Sequence, residues 1–359
     1  MKTNLFIAAL SLVVLAGCSS EDEVGTLVAK SDNAITFGTY VGKQTKATEK
    51  SAFEKNDTFG VLGYYANGGT YSQFSANFMS NEKMTMQEGG TWSYTNTKYW
   101  PENATDSISF VAYYPSSIST TVTNGSISTE FTVEDTPSNQ SDLMWSSIRS
   151  ANKDNKLGKE INGKKNTSTS KDNVTFKFQH ALSKVIFKAK LAEAIPTTGE
   201  GESATPVATV SITEISIASL ANKGTFTIAN DLRTGSWGAN PSGEKSYTIF
   251  QASADNNPKA IDVTSPTDVT NAIGESLLTI PQSVSGKTIT VKYNVTYKEP
   301  SALTVPNEVT ITIPADATWA SNTIYTYTLK IALTKVSMET GFETWGTGSS
   351  ELPSSNSDL

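Results

Sequence analysis

The chain has 359 residues and a formal net charge of −7, with 28 lysines and arginines against 35 aspartates and glutamates. An acidic chain whose only arginines are Arg149 and Arg233 is a poor binder of nucleic acid or anionic lipid. Its single cysteine excludes an intrachain disulfide, and the abundance of Thr, Ser, Asn and Gly, without long amphipathic helical patterns, is the composition of an all-β surface protein.

The first residues, MKTNLFIAALSLVVLAGCSSEDE, combine Lys2 with an apolar run from Leu5 to Ala16. That run is too short to span a bilayer, which takes roughly 20 apolar residues, and it has the length and flanks of a secretory h-region. Leu15-Ala16-Gly17-Cys18 resembles a lipobox. The pattern predicts a signal peptide at 1–17, cut between Gly17 and Cys18, and a lipid on Cys18. Several acyl chains on one cysteine hold a protein firmly, whereas a single chain does not. The acidic run Ser19-Ser20-Glu21-Asp22-Glu23 resembles a surface-export signal of bacterial lipoproteins, and residues 18–30 read as a tether to the outer membrane.

Beyond the tether, short strand patterns recur between turn signals. Ile35, Phe37, Thr39 and Val41 alternate with Thr36, Gly38 and Tyr40, the period of a half-buried strand. An exposed loop with Lys43, Lys46 and Lys50 follows. Further strands are predicted at Phe59–Tyr65, Trp92–Trp100, Ile108–Tyr114 and Ile127–Val133, two of them stopped by Pro101 and Pro115. Residues 150–173 are polar and read as a loop or hinge between halves. Val174, Phe176 and Phe178 alternate next; after Ala181 the apolar parity changes, so the chain must bulge or change sheets near His180–Ser183.

The second half repeats the pattern at Val210–Ile217, Thr225–Ile228, Tyr247–Gln251, Ser276–Ile280 and Lys287–Tyr297. Tyr325, Tyr327, Leu329, Ile331 and Leu333 form the cleanest alternation in the chain, and Val336–Trp345 a weaker one. Regular short strands with turn punctuation argue for β-sandwiches, and two in tandem fit the length. The expected division is an N-terminal sandwich over 31–175, a C-terminal one over 176–345, and a polar tail over 346–359.

No enzymatic constellation emerges. His180 is the only histidine, so a nucleophile–histidine–acid triad would have to use it. Its place at a register switch suits a histidine hydrogen-bonded at a domain junction. Phosphate-loop and HExxH patterns are missing from the sequence, and no metal site or cofactor is expected. The acidic pairs Glu134-Asp135 and Asp154/Glu160 do not by themselves identify a glycosidase. Six tryptophans, at 92, 100, 145, 237, 319 and 345, could line a sugar-binding face, but their places in and beside predicted strands suit packing better.

Several segments taken in order resemble the Bacteroidetes fimbrillin family, the subunits of type V pili. They are Ile35–Tyr40 with Thr45-Lys46-Ala47-Thr48, Phe59–Tyr64, Lys98–Pro101, Ser109–Pro115, Gln140–Trp145, Phe176–Lys184, Tyr325–Tyr327 and Thr344-Trp345. The resemblance implies two transthyretin-like β-sandwiches in tandem and no enzymatic activity. It also implies export as a lipoprotein, then cleavage in the loop after the first strand. That strand, with Ile35, Phe37 and Val41, would leave a groove filled by a strand of the next pilin subunit in a homo- or hetero-polymer. Thr45-Lys46-Ala47 best matches the cleavage motif, between Lys46 and Ala47, although the family's familiar members carry arginine there. The donor would come from Tyr325–Leu333 or from Val336–Trp345. The rival expectation is a binding module: a tip or anchor adhesin for host glycans or proteins, or a lipoprotein that does not polymerise.

Overall fold

A computed structural model describes residues 33–41, 52–69, 77–167, 172–199, 201, 204–254, 257–261, 273–333 and 335–345. The signal peptide, Gly17, Cys18 and the tether, like the lysine loop with Lys46 and Ala47, lie outside the described residues. The chain is all-β, and among those residues helical geometry is confined to short 3-10 turns such as Asn67–Gly69 and Pro137–Asn139.

The strands of the first half are β1 (Phe37–Val41), β2 (Thr58–Ala66), β3 (Met79–Met86), β4 (Trp92–Ser93), β5 (Ser107–Tyr114), β6 (Thr121–Thr123), β7 (Ser126–Thr132), β8 (Met144–Ala151), β9 (Glu160–Ile161), β10 (Lys164–Lys165) and β11 (Val174–His180). Next come β12 (Ser183–Leu191), β13 (Thr197–Thr198), β14 (Thr205–Pro206), β15 (Ala208–Leu220), β16 (Lys223–Ile228), β17 (Gly235–Trp237) and β18 (Lys245–Gln251). The last are β19 (Lys259–Ile261), β20 (Leu277–Thr279), β21 (Thr288–Tyr297), β22 (Leu303–Thr312), β23 (Thr323–Ile331) and β24 (Val336–Thr344).

One sheet runs β1-β11-β8-β5-β2-β3-β4, with the β9–β10 hairpin attached to β8. It curls until its ends meet: Ala34 bridges Tyr99, the Ile35 amide donates to the Lys98 carbonyl at 2.8 Å, and the Trp100 amide to the Asn33 carbonyl at 2.9 Å. Phe59, Val61, Phe110, Ala112, Ile148, Phe176 and Phe178 fill the inside. The other face, with Leu62, Tyr64, Val111, Tyr113 and Trp145, packs into a second, larger core. Burial on both faces explains why β5 reads as a nearly continuous apolar run instead of alternating.

The second core also holds the sheets β20-β12-β23-β24 and β18-β15-β21-β22. Val185, Phe187, Ala189 and Leu191 of β12 lie against Tyr325, Tyr327, Leu329 and Ile331 of the parallel neighbour β23. The parity change has a direct cause: β11 belongs to the curled sheet, β12 to another, and the chain crosses between them at Ala181-Leu182. Residues 175 and 176 both lie within β11. A further sheet, β17-β16-β7-β6, draws strands from both sides of that position, pairing Ile127 with Ile228 and Phe131 with Gly224.

Two expectations need correction. Trp92–Trp100 is not one strand: pairing stops at Ser93, and the chain turns before Tyr99 reaches Ala34. Residues 150–173 are not a plain hinge. Leu157, Ile161 and Asn162 are buried, and β9 lies antiparallel to β8. Asn162 Oδ1 accepts from the Ser147 amide at 2.7 Å, and its Nδ2 donates to the Lys177 carbonyl at 2.8 Å, so the hairpin is fastened to the sheet.

Candidate strand-exchange site

β1 closes the curled sheet. It runs parallel to β11, with Phe37 opposite Val174 and Val41 opposite Phe178. Ile35, Phe37 and Val41 point inward and are buried, whereas Tyr40 is exposed. The Phe37 ring stacks on Phe176 at 5.7 Å between centroids and meets Tyr94 and Phe110 edge-on. On the side away from β11, Tyr94 Oη donates to the Ile35 carbonyl at 2.9 Å, and Trp92 Nε1 to Thr39 Oγ1 at 3.2 Å. The strand is therefore wedged between β11 and the 92–100 segment.

Each large apolar side chain buried contributes roughly 1.5–3 kcal/mol. Ile35, Phe37 and Val41 together amount to several kcal/mol, which is comparable with the whole stability of a typical domain, roughly 5–15 kcal/mol. A curled sheet without β1 would expose Phe110, Phe176 and Phe178 to water, and such a groove favours any strand of matching pattern.

The two donor candidates sit very differently. Tyr325, Tyr327, Leu329 and Ile331 belong to β23, which is hydrogen-bonded to β12 on one side and to β24 on the other. Leu333 follows the end of that strand and is half-buried. Trp319 Nε1 donates to Tyr327 Oη at 3.0 Å, and burial pushes the Tyr327 hydroxyl up to about 12. Freeing β23 would break two ladders and empty the core. Among the described residues β24 pairs only with β23.

β24 is paired with β23 along its whole length but buried only at Val336 and, just past its end, at Trp345. Val336 is 8% exposed and the following Trp345 2%, but Phe342 is 56% exposed. Met338, Thr340 and Phe342 overhang a cavity of about 300 Å³, which Ile313, Trp319 and Tyr325 also line. Trp345 stacks flat on His180, with centroids 3.6 Å apart and planes within 4°. His180 Nδ1 lies 2.7 Å from Asp142 Oδ2, and the Trp345 amide donates to the Asn322 carbonyl at 2.7 Å. His180 and Asp142 have side chains 2% exposed, and the indole seals them, so no substrate reaches this histidine–carboxylate pair. Sequence reasoning placed His180 at a junction but missed Asp142 and Trp345 as its partners. The separations, 38 residues for Asp142 and more for Trp345, carry no local signal.

The model of the fimbrillin-like family matches residues 45–345. The chain belongs to the fimbrillin-like family. It is 28% identical over 121 residues to the fimbrium subunit Fim1C of Phocaeicola vulgatus, a match that spans 32% of this chain and 31% of that relative. In three dimensions this fimbrillin-like chain is similar to the crystal structure of a fimbrial protein from Bacteroides vulgatus. The TM-score is 0.62 at 21% identity, with 87% of this chain and 99% of the other covered, a likeness of fold.

Proposed function

We propose that this chain is a structural subunit of a cell-surface fimbria, delivered to the outer membrane by a lipid on Cys18 and assembled by strand exchange. Cleavage between Lys46 and Ala47 separates β1, with the lipid, from the body of the subunit. A strand of another subunit then takes its place, and the two sandwich-like halves, 31–175 and 176–345 in the simplest division, travel together along the fibre.

The observation that carries this reading is β1 itself: a short strand, the first of the described ones, wedged by its neighbours and followed in the sequence by Lys43, Lys46 and Lys50; its loss would open an aromatic groove. The donor that fits is β24 rather than β23. Read in chain direction, Val336, Met338, Thr340 and Phe342, which share one face of β24, repeat the order of Ile35, Phe37, Thr39 and Val41: apolar, apolar, threonine, apolar. Thr340 would then meet Trp92 Nε1 where Thr39 does now. The sealed His180–Asp142 pair supports a structural role over a catalytic one.

The test is to express the full chain and a Lys46→Ala variant in a producing cell and map the mature N-terminus by mass spectrometry. The reading expects a terminus at Ala47 in the wild type, and a Lys46→Ala chain that keeps its lipid and stays out of the fibres. A variant that enters fibres normally overturns cleavage at Lys46.

A further inference from the structure

Away from β1 and β24, an open cleft of about 770 Å³ lies between the 235–244 stretch, residues 281–287 and the 318–321 loop. Trp237 forms one wall. Its Nε1 donates to the Ala181 carbonyl at 2.6 Å, and its ring packs on Phe226 at 5.4 Å, yet the indole keeps partial exposure. It is a fixed aromatic plate. The floor is equally rigid: the Gln282 amide accepts from the Ala221 N–H at 2.8 Å and donates to the Ala221 carbonyl at 2.9 Å. Around the opening stand Ser236, Asn240, Glu244, Ser283, Lys287 and Thr318.

These groups narrow the ligand. The volume is that of a small-molecule site, roughly 300–1,000 Å³. A wholly apolar ligand would strand hydroxyls, an amide and two charges without partners. A polyanion would find one cation, Lys287, balanced by Glu244 on an acidic chain. An extended peptide adds to a free sheet edge, and the edge here, β17, is three residues long. A sugar ring remains: it offers an apolar C–H face to an indole and hydroxyls, both donors and acceptors, to the surrounding polar groups.

We propose that this cleft binds a neutral oligosaccharide, with Trp237 as the stacking plate and Asn240 and Glu244 as hydroxyl-binding groups. The inference does not rest on strand exchange, since no residue of the cleft belongs to β1 or β24. It is tested with the full chain on an array of oligosaccharides ending in mannose, galactose, glucose or N-acetylglucosamine, with their sialylated and sulfated counterparts. The expected result is retention of a subset of the neutral glycans. Titration of the tightest of them should show about a tenfold or greater loss of affinity for an Asn240→Ala/Glu244→Ala double variant. Both substitutions are at exposed positions, so the fold is kept, as a thermal melt would check. Trp237→Phe should retain more binding than Trp237→Ala; because Trp237 also packs on Phe226, the double variant decides. Retention of no glycan, retention of anionic glycans only, or binding unchanged by the double variant overturns the proposal.

Discussion

Phe37 stacks on Phe176 and meets two more rings, and it is 4% exposed. Removing a buried phenylalanine side chain costs about 3–5 kcal/mol. The uncut Phe37→Ala chain should therefore unfold at markedly lower urea, with its slope unchanged, whereas Tyr40→Ala, at an exposed site of the same strand, should shift the midpoint little. A second residue-scale cluster uses both arginines of the chain. Arg233 Nη2 and Nε reach Glu160 at 3.0 and 3.1 Å, and Arg149 Nη1 reaches it at 2.9 Å. The Arg233 hydrogen bonds foremost, with help from Arg149, hold the Glu160 carboxyl below the usual glutamate range. A depressed carboxylate supplies stability that is complete above the unfolded value, about 4.3, and lost as pH falls through the folded value. Denaturation midpoints measured below about pH 4.3 should fall less steeply for Glu160→Gln than for the wild type. Nothing local in the sequence pointed to this cluster: residues 149, 160 and 233 meet only because β9 folds onto β8 and the β16–β17 hairpin lies nearby.

At the scale of elements, the legible strands are those with one buried face. β1, β23 and the Val185–Leu191 part of β12 alternate cleanly because their polar positions there are less buried than their apolar ones. Strands that break the period escaped detection. β8 buries Ser146 and Ser147 among apolar neighbours, and in β3 Asn81 has a φ of 52° that interrupts the Met79–Met86 alternation. β22 is exposed along most of its length and carries Pro306, which is tolerated at a sheet edge. The Val336–Trp345 pattern was weak for a reason tied to its proposed role: the strand is only half buried. Trp345 pins its C-terminal end on His180, so Trp345→Ala should speed amide hydrogen exchange toward the end of 336–344 while leaving β23 protected. The proposed register is testable too. After cleavage, Met338→Cys on one subunit should form a disulfide with Val174→Cys on the next, since Phe37 is now the partner of Val174. Ser337→Cys, one residue out of phase, should not, because alternate residues face opposite sides.

For the molecule as a whole, the all-β class followed from composition and turn spacing, and the passage between sheets at Ala181-Leu182 from a change of parity. The pairing of β7 with β16 could not be read, because strand pairing across nearly a hundred residues leaves no periodic trace. It also makes the halves less separate than the linear pattern suggests. Assembly as proposed turns on whether β1 is exchanged. Purified full chain should be cut with a lysine-specific protease, and the product followed by mass spectrometry and electron microscopy. Strand exchange predicts loss of the segment ending at Lys46 together with a ladder of subunit multiples that resolves into fibres. A chain cut at Lys46 that sheds β1 yet stays monomeric would contradict it.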